Sequence, residues 1–487
     1  MTSDETNSPK QQPSSSSEKS ISHRRWWLIG GLMALGAVML TCLAAIGVGF
    51  FVLRSTDRSA PAPQTVAQPA ASTPTERPAD EISPATPAPA ASAAIVSSGR
   101  IAFIDPDGRI GTVAPDGADT RLLSDAGWRY QFPAWSPDGR QIAAIGGNGD
   151  QGAVRVFTDE PAAKETEVYG SRTQSPFYLY WSPDGRQVSF LANARRGIGL
   201  WLAPADGQAE ARQLASGQPF YWDWAADSTQ LLVHSGTLGD DARLGFIDTN
   251  GDASGDTIAE PGLFQAPGLS SDGRFMAFAG AQDRDLRVVV EDRQTGERAS
   301  VEHTGLVALS WSPTENLLAF TSPRTPQAAF IGPLRLLDAA TGETQTLVND
   351  AVAGFFWSPD GRSIAYLTLE SGSTSPGASR PSGLAAVAGS RSLQQDHPDI
   401  RLKLWVVDVA DGKQRLLTSF NPTGLFVTQF LPFFDQYALS HRIWSPAGDA
   451  IVLPMVEASG REAVYIVPTD GRALQRLVDG SMAFWSR

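Results

Sequence analysis

Histidine and cysteine, the residues most used for acid–base, nucleophilic and metal chemistry at neutral pH, are scarce in this chain and widely spaced. Its 487 residues include five histidines (His23, His234, His303, His397 and His441) and one cysteine, Cys42. No two histidines are close in sequence and the expected folded region has no cysteine, so the ligand pattern of a zinc site is missing. Ser440 and His441 adjoin, with Asp435 just upstream. That is a set of the kind nucleophilic catalysis uses, but spacing this short reads first as a hydrogen-bonded loop anchor. Asp248, Asn250, Asp252 and Asp256 place side-chain oxygens at alternating positions, partly like a calcium loop. The run lacks the sixth-position glycine and the closing glutamate, and it falls where a hairpin turn is expected. The Gly-x-Ser-x-Gly elbow and the phosphate-cradling glycine loop are both absent from the sequence. Neither a catalytic residue nor a cofactor is assigned.

The elements that would position any site are legible. The motif Trp135-Ser136-Pro137-Asp138-Gly139-Arg140 recurs intact from Trp181 and from Trp357. Worn copies begin at Trp224, Leu269, Trp311 and Trp444, and Trp485-Ser486 is a last fragment. The spacing is about 41–46 residues with one double interval, the period of β-propeller blades. Within each unit the proline pre-sets φ and the glycine supplies a left-handed turn position. An alternating strand follows, such as Gln141–Ile145, then a second strand, a second turn and a short outer strand. Eight such motifs imply an all-β fold, an eight-bladed β-propeller with four-stranded blades. The segment Gly99-Arg100-Ile101-Ala102-Phe103 lacks a motif before it, and Trp485-Ser486-Arg487 lacks a strand after it. Joined, they read as one motif cut open, so the C-terminal strand is expected to close the ring as the inner strand of the first blade.

These Trp-Ser-Pro-Asp-Gly-Arg repeats resemble those of TolB-like and dipeptidyl-peptidase-IV N-terminal propellers over residues 98–487. The resemblance implies the fold and an extracytoplasmic binding role. It does not bring peptidase activity, because no α/β-hydrolase segment follows the last propeller strand.

Ahead of the repeats, residues 1–25 are polar and are expected to be a disordered cytoplasmic tail. Residues 26–53 contain no charged residue and are long enough for one transmembrane helix, with Trp26 and Trp27 at the interface and Arg24 and Arg25 favouring an N-terminus inside. A cleaved signal peptide has a shorter apolar core than this. Residues 54–97 form a Pro/Ala-rich linker. The expected localisation is the cell membrane, single-pass, with the propeller outside the cytoplasm. The net charge of −13 gives no basic footprint for nucleic acid.

Two insertions, 371–399 and 420–441, fall on loops of one face, taken as the membrane-distal one. That face was the expected site for a protein, peptide or envelope polymer, because loops on a rigid scaffold carry binding residues. Tyr130, Tyr178 and Tyr221 precede inner tryptophans, and the second insertion adds Phe433, Phe434 and Tyr437; all are candidate contacts, with Arg195 and Arg196 as charged partners. The competing reading of each aromatic is inter-blade core. The leading function is a non-catalytic binding scaffold in the cell envelope. The alternatives are a glycan- or peptide-processing enzyme with its site in the channel, and a single-pass transmembrane sensor.

Overall fold

The strands differ in burial according to their place in each repeat. Phe220–Trp224 and Ile101–Ile104 are buried on both faces, whereas Glu165–Ser171 is mostly exposed and turns only Val168 fully inward. A strand buried on both faces must lie between layers, and one that alternates lies at the rim. The computed structural model describes residues 99–195, 197–236, 242–259, 262–282, 285–325, 331–370 and 400–487, without the side chains of 253–256 and 281–282. In that region the strands form antiparallel sheets, five of them four-stranded, the arrangement of a β-propeller.

Arg129–Trp135 begins one sheet with Gln141–Gly147, Gly152–Thr158 and Glu165–Ser171. Pro176–Trp181, Phe220–Trp224 and Gly268–Leu269 begin the next three in the same way. Thr344–Trp357 is unusual: its first part pairs with Gly332–Asp338 as an outer strand and its second with Ser363–Leu369 as an inner one, so two repeats merge into a seven-stranded sheet. Ala450–Val456, Glu462–Pro468 and Gln475–Asp479 form a three-stranded sheet, against which Trp444 makes only a single bridge, to Ile451.

The ends of the described chain meet as the sequence implied. Met482–Trp485 pairs antiparallel with Ile101–Ile104, Trp485 opposite Ile101 and Met482 opposite Ile104. The junction also reproduces the turn chemistry. In the intact motif the Ser136 amide donates to the Gln141 carbonyl, and the Ser136 hydroxyl oxygen accepts from the Gln141 amide. Across the cut, the Ser486 amide donates to the Arg100 carbonyl and its hydroxyl oxygen accepts the Arg100 amide at 2.9 Å. Gly99, at φ 92°, precedes Arg100 at the position that Arg140 holds in the intact motif.

The motif residues have separate tasks. Each serine donates to the aspartate two positions on, at 2.6 Å in Ser136–Asp138, Ser182–Asp184, Ser270–Asp272 and Ser358–Asp360. That carboxylate also accepts the amide of the residue after the glycine. The turn is thus satisfied internally, and Gly139, Gly185, Gly273, Gly361 and Gly448 all sit near φ 70°, where a Cβ would be strained. The tryptophans stitch neighbouring sheets together. Trp135 donates its indole N–H to the Phe484 carbonyl, Trp181 to Ala134, Trp357 to Ser310 and Trp444 to Phe356, in each case the residue just before the tryptophan of the preceding repeat. Trp224 reaches the equivalent Tyr180 carbonyl through the Ser189 hydroxyl. The series breaks at Trp311 and at Trp485, whose buried indole N–H groups have no partner among the described residues; at Trp311 the indole lies tight against Gly268.

The core lies in the seams between sheets. Ala134, Ala143 and Val154 pack with Leu179, Val188 and Phe190, and Ile101, Val113 and Trp485 pack with Ala450, Val452 and Val464. The tail, the 26–53 helix, the linker, the 371–399 insertion and Arg196 lie outside the described residues. Among the described residues, no helix is long and apolar enough to cross a membrane.

Candidate functional site

The inner strands converge on an axial channel, and one mouth of it is filled by the chain itself. Residues 420–441 enter it as a π-helical turn (Phe426–Phe430), a 3₁₀ turn (Leu431–Phe433) and a short α-helix, α1 (Phe434–Ser440). Aromatic contacts seat the segment. Phe434 meets Phe355 and Phe356 edge-on, Phe430 stacks on Phe356, and Tyr437 lies against Phe132 at 4.6 Å and Tyr178 at 5.0 Å.

Polar contacts fix its register. An inner strand facing an open channel leaves backbone groups without strand partners, and burial makes that costly. At Trp222 the Gln436 side chain supplies both partners: its Oε1 accepts the Trp222 amide and its Nε2 donates to the Trp222 carbonyl, at 3.1 and 3.0 Å. Nε2 also donates to the Tyr178 hydroxyl. Gln265 donates to the Pro432 carbonyl. The Ser440 hydroxyl meets His441 Nδ1 at 2.6 Å, and His441 Nε2 meets the Phe132 carbonyl at 3.1 Å. Phe132, at φ 49° within a strand irregularity, turns that carbonyl inward.

These contacts decide the Ser/His/Asp set. Asp435 accepts from the Ala266 and Gln436 amides, while His441 is tied to Ser440 and Phe132, so the three do not form a relay. Burial lowers the His441 pKa to about 4, far from the value a general base needs near neutrality. The three side chains tie the segment to its own backbone and to the inner strands.

The aromatic candidates are largely interior. Tyr130, Tyr178, Tyr221, Phe434 and Tyr437 are all 5% exposed or less, and only Phe433 of the six is half-buried. This corrects the expectation of an open aromatic surface on the insertion face. The rings fill the channel mouth because the insertion supplies the apolar partner that inner strands otherwise lack. Arg195 is exposed in its loop. Asp248 turns Oδ1 onto the amides of Asn250 and Asp252, as a hairpin turn former does, and the side chain of Asp256 lies outside the described set. Among the described residues there is no group of three or more His, Cys, Asp or Glu arranged to hold a metal.

The opposite end of the channel, ringed by the Trp-Ser-Pro turns, is open. A cavity of about 400 Å³ lies there, floored by Ala438, Leu439 and Arg442 and walled by Leu309, Pro313 and Pro359. Its polar groups come from inner strands. Asp223 accepts the Leu269 amide on Oδ2 and the Tyr180 hydroxyl on Oδ1, at 2.9 and 3.3 Å. Burial raises the Asp223 pKa to about 6 and pushes Tyr180 well above its usual value, with Asp223 adding to the latter. Arg442 is half-buried, and burial, then the nearby Arg487 charge, lower its pKa to about 10. Sequence reasoning passed over Asp223, Arg442 and Arg487. The available signal was a charge inside an otherwise aromatic or apolar inner strand, as in Phe220-Tyr221-Trp222-Asp223-Trp224.

The fold defines the class: an all-β, repeat-built β-propeller. No protein-family model matches the sequence, and no curated protein matches it. Among solved structures the chain is similar to TolB from Acinetobacter baumannii, at 15% identity and TM-score 0.38, covering 80% of this chain and 66% of that one. It is similar to an oligogalacturonate lyase in complex with manganese, at 14% identity and TM-score 0.44, covering 71% of this chain and 86% of that one. It is also similar to the β-propeller domain of the Trilobed protease from Pyrococcus furiosus, at 12% identity and TM-score 0.44, covering 72% and 98%. These likenesses concern the fold alone.

Proposed function

We propose that this protein is an eight-bladed propeller, held outside the cytoplasm by a membrane helix over 26–53, that serves as a non-catalytic binding module of the cell envelope. Its partner enters the axial cavity from the face of the Trp-Ser-Pro turns. One observation carries this: α1 and its flanking turns fill one channel mouth, while the other keeps a cavity of about 400 Å³ with charged groups at its base. That volume lies in the range of small-ligand and chain-end pockets. The count of eight is supported by assigning the two halves of Thr344–Trp357 to successive blades and Trp444 to the three-stranded sheet.

The test is to obstruct each mouth in turn. Ser271→Trp adds bulk at the exposed rim of the cavity, and Thr428→Trp does so on the insertion face. Partners retained from envelope extract by the full-length protein in mild detergent are expected to be lost with Ser271→Trp and kept with Thr428→Trp. The reverse pattern would remove the support for this face.

An enzymatic reading has one specific observation in its favour. Asp223, with a pKa of about 6 and a Tyr180 hydroxyl beside it, is an acid that exchanges protons near neutral pH. Turnover of a glycan or peptide that is abolished by Asp223→Asn would establish that reading in place of the first.

A further inference from the structure

Arg442 stands out in the cavity floor because no side chain among the described residues pairs with it. It lines the cavity with Arg487, and neither guanidinium makes a hydrogen bond or ion pair with any described residue. Other half-buried arginines have a partner. Arg155 is clamped by Glu165 and Glu167, and Arg100 by Asp119 and Asp159, while Arg335 and Arg243, which have no carboxylate, donate to the Ser322 hydroxyl and the Phe246 carbonyl. Moving an arginine partly out of water without a partner is unfavourable, so an unpaired one in a cavity has to be explained. The only carboxylate side chain among the described lining residues, Asp223, is committed to the Leu269 amide and the Tyr180 hydroxyl.

We infer that the cavity is an oxyanion site for an apolar monocarboxylate: Arg442 takes the carboxylate through its fork of N–H donors, Arg487 supplies a second positive charge, and the apolar walls take the body of the ligand. This rests on the cavity being the binding site proposed above. The guanidinium selects an oxyanion, and the Asp223 side chain in the same cavity disfavours a second negative charge on the ligand. The walls select the rest, since Leu309, Leu439, Pro267, Pro313 and Pro359 offer apolar surface beside that charge. A guanidinium matches a carboxylate in geometry and is weakly hydrated, so it tolerates this partly dry setting better than an ammonium would. Burial first, and then the nearby Arg487 charge, disfavour the charged form of Arg442, and an anion bound between them offsets both.

The test uses the full-length protein in detergent and two small probes, N-acetyl-leucine as the free acid and as its carboxamide, titrated by calorimetry and ligand-observed NMR. The acid is expected to bind at least tenfold more tightly than the amide. Arg442→Gln is expected to abolish the difference, while Arg195→Gln, an exposed loop control, leaves it intact. Thermal stability supplies a second readout: Arg442→Gln removes an uncompensated charge and should melt no lower than the wild type. Equal binding of acid and amide, binding of neither, retention of the preference in Arg442→Gln, or a clearly lower melting point for that variant would each overturn the inference. Competition by inorganic phosphate as strong as by the acid would overturn the monocarboxylate class. The obstruction experiment reads a separate quantity. If the acid binds and Ser271→Trp still retains all partners, the partner-binding reading has failed and the anion site stands.

Discussion

Trp485 is the residue on which ring closure can be tested most cleanly. It lies at the end of the C-terminal strand, 1% exposed, opposite Ile101 in the register and packed in the seam with Val113, Ala450 and Val452. Its indole N–H has no partner among the described residues, so truncation removes packing and orphans no hydrogen-bond acceptor there. Replacing a fully buried tryptophan by alanine costs about 3–5 kcal/mol, a large fraction of the roughly 5–15 kcal/mol that holds a typical domain. At roughly 2 °C per kcal/mol for a large domain, Trp485→Ala should lower the melting temperature by about 6–10 °C. The loss should be shared. If the strand closes a ring, hydrogen exchange should accelerate in Ile101–Ile104 and also across the seam in Ala450–Val456, and the exposed edge should raise aggregation. Calorimetry and exchange mass spectrometry on the same variant read both. A melting shift below 2 °C, or faster exchange confined to the last few residues, would refute the closure argument.

Three further outcomes follow from the same geometry. Gln436→Ala leaves the Trp222 amide and carbonyl unpaired, which should cost about 2–3 kcal/mol and speed exchange in α1; an unchanged melting point would count against the anchoring role. Asp435 has its pKa raised by burial to about 7, so the folded state favours the protonated form, and its stabilising share is full below about pH 4 and lost as pH rises to 7. Asp435→Asn should therefore gain stability relative to wild type from pH 4 to pH 8, by on the order of 4 kcal/mol, whereas a difference that does not change with pH would rule this out. Trp181→Phe deprives the Ala134 carbonyl of its donor and should cost about 1–3 kcal/mol, while Trp311→Phe removes an N–H with no partner and should cost less; equal losses would contradict the stitching scheme.

The sequence exposed the parts of this molecule that are local and repeated. A serine, an aspartate and a glycine within four residues build a turn that satisfies itself, so the turns were legible wherever Ser136, Asp138 and Gly139 recurred. The closure was legible because Gly99-Arg100 and Trp485-Ser486 are halves of that turn. What the sequence left open was direction. Phe430, Phe434 and Tyr437 are a surface patch or a plug depending on whether the chain turns outward or back into the channel, and no local residue preference distinguishes the two. Once the segment turned inward, it buried the rings expected to meet a partner and made the other mouth the open one. Arg442 was illegible for a related reason, since a charge beside Trp444 gains meaning only when its lack of a partner can be seen in three dimensions.

The central claim is that ligand comes to the face of the Trp-Ser-Pro turns, and photo-crosslinking in the native envelope tests it most directly. A photoreactive amino acid placed at Ser271, or at Ala226 on the same rim, is expected to give specific adducts with the full-length protein. One placed at Thr428 on the insertion face should give none. Adducts at Thr428 with nothing at Ser271 or Ala226 would contradict the account and return the site to the opposite mouth.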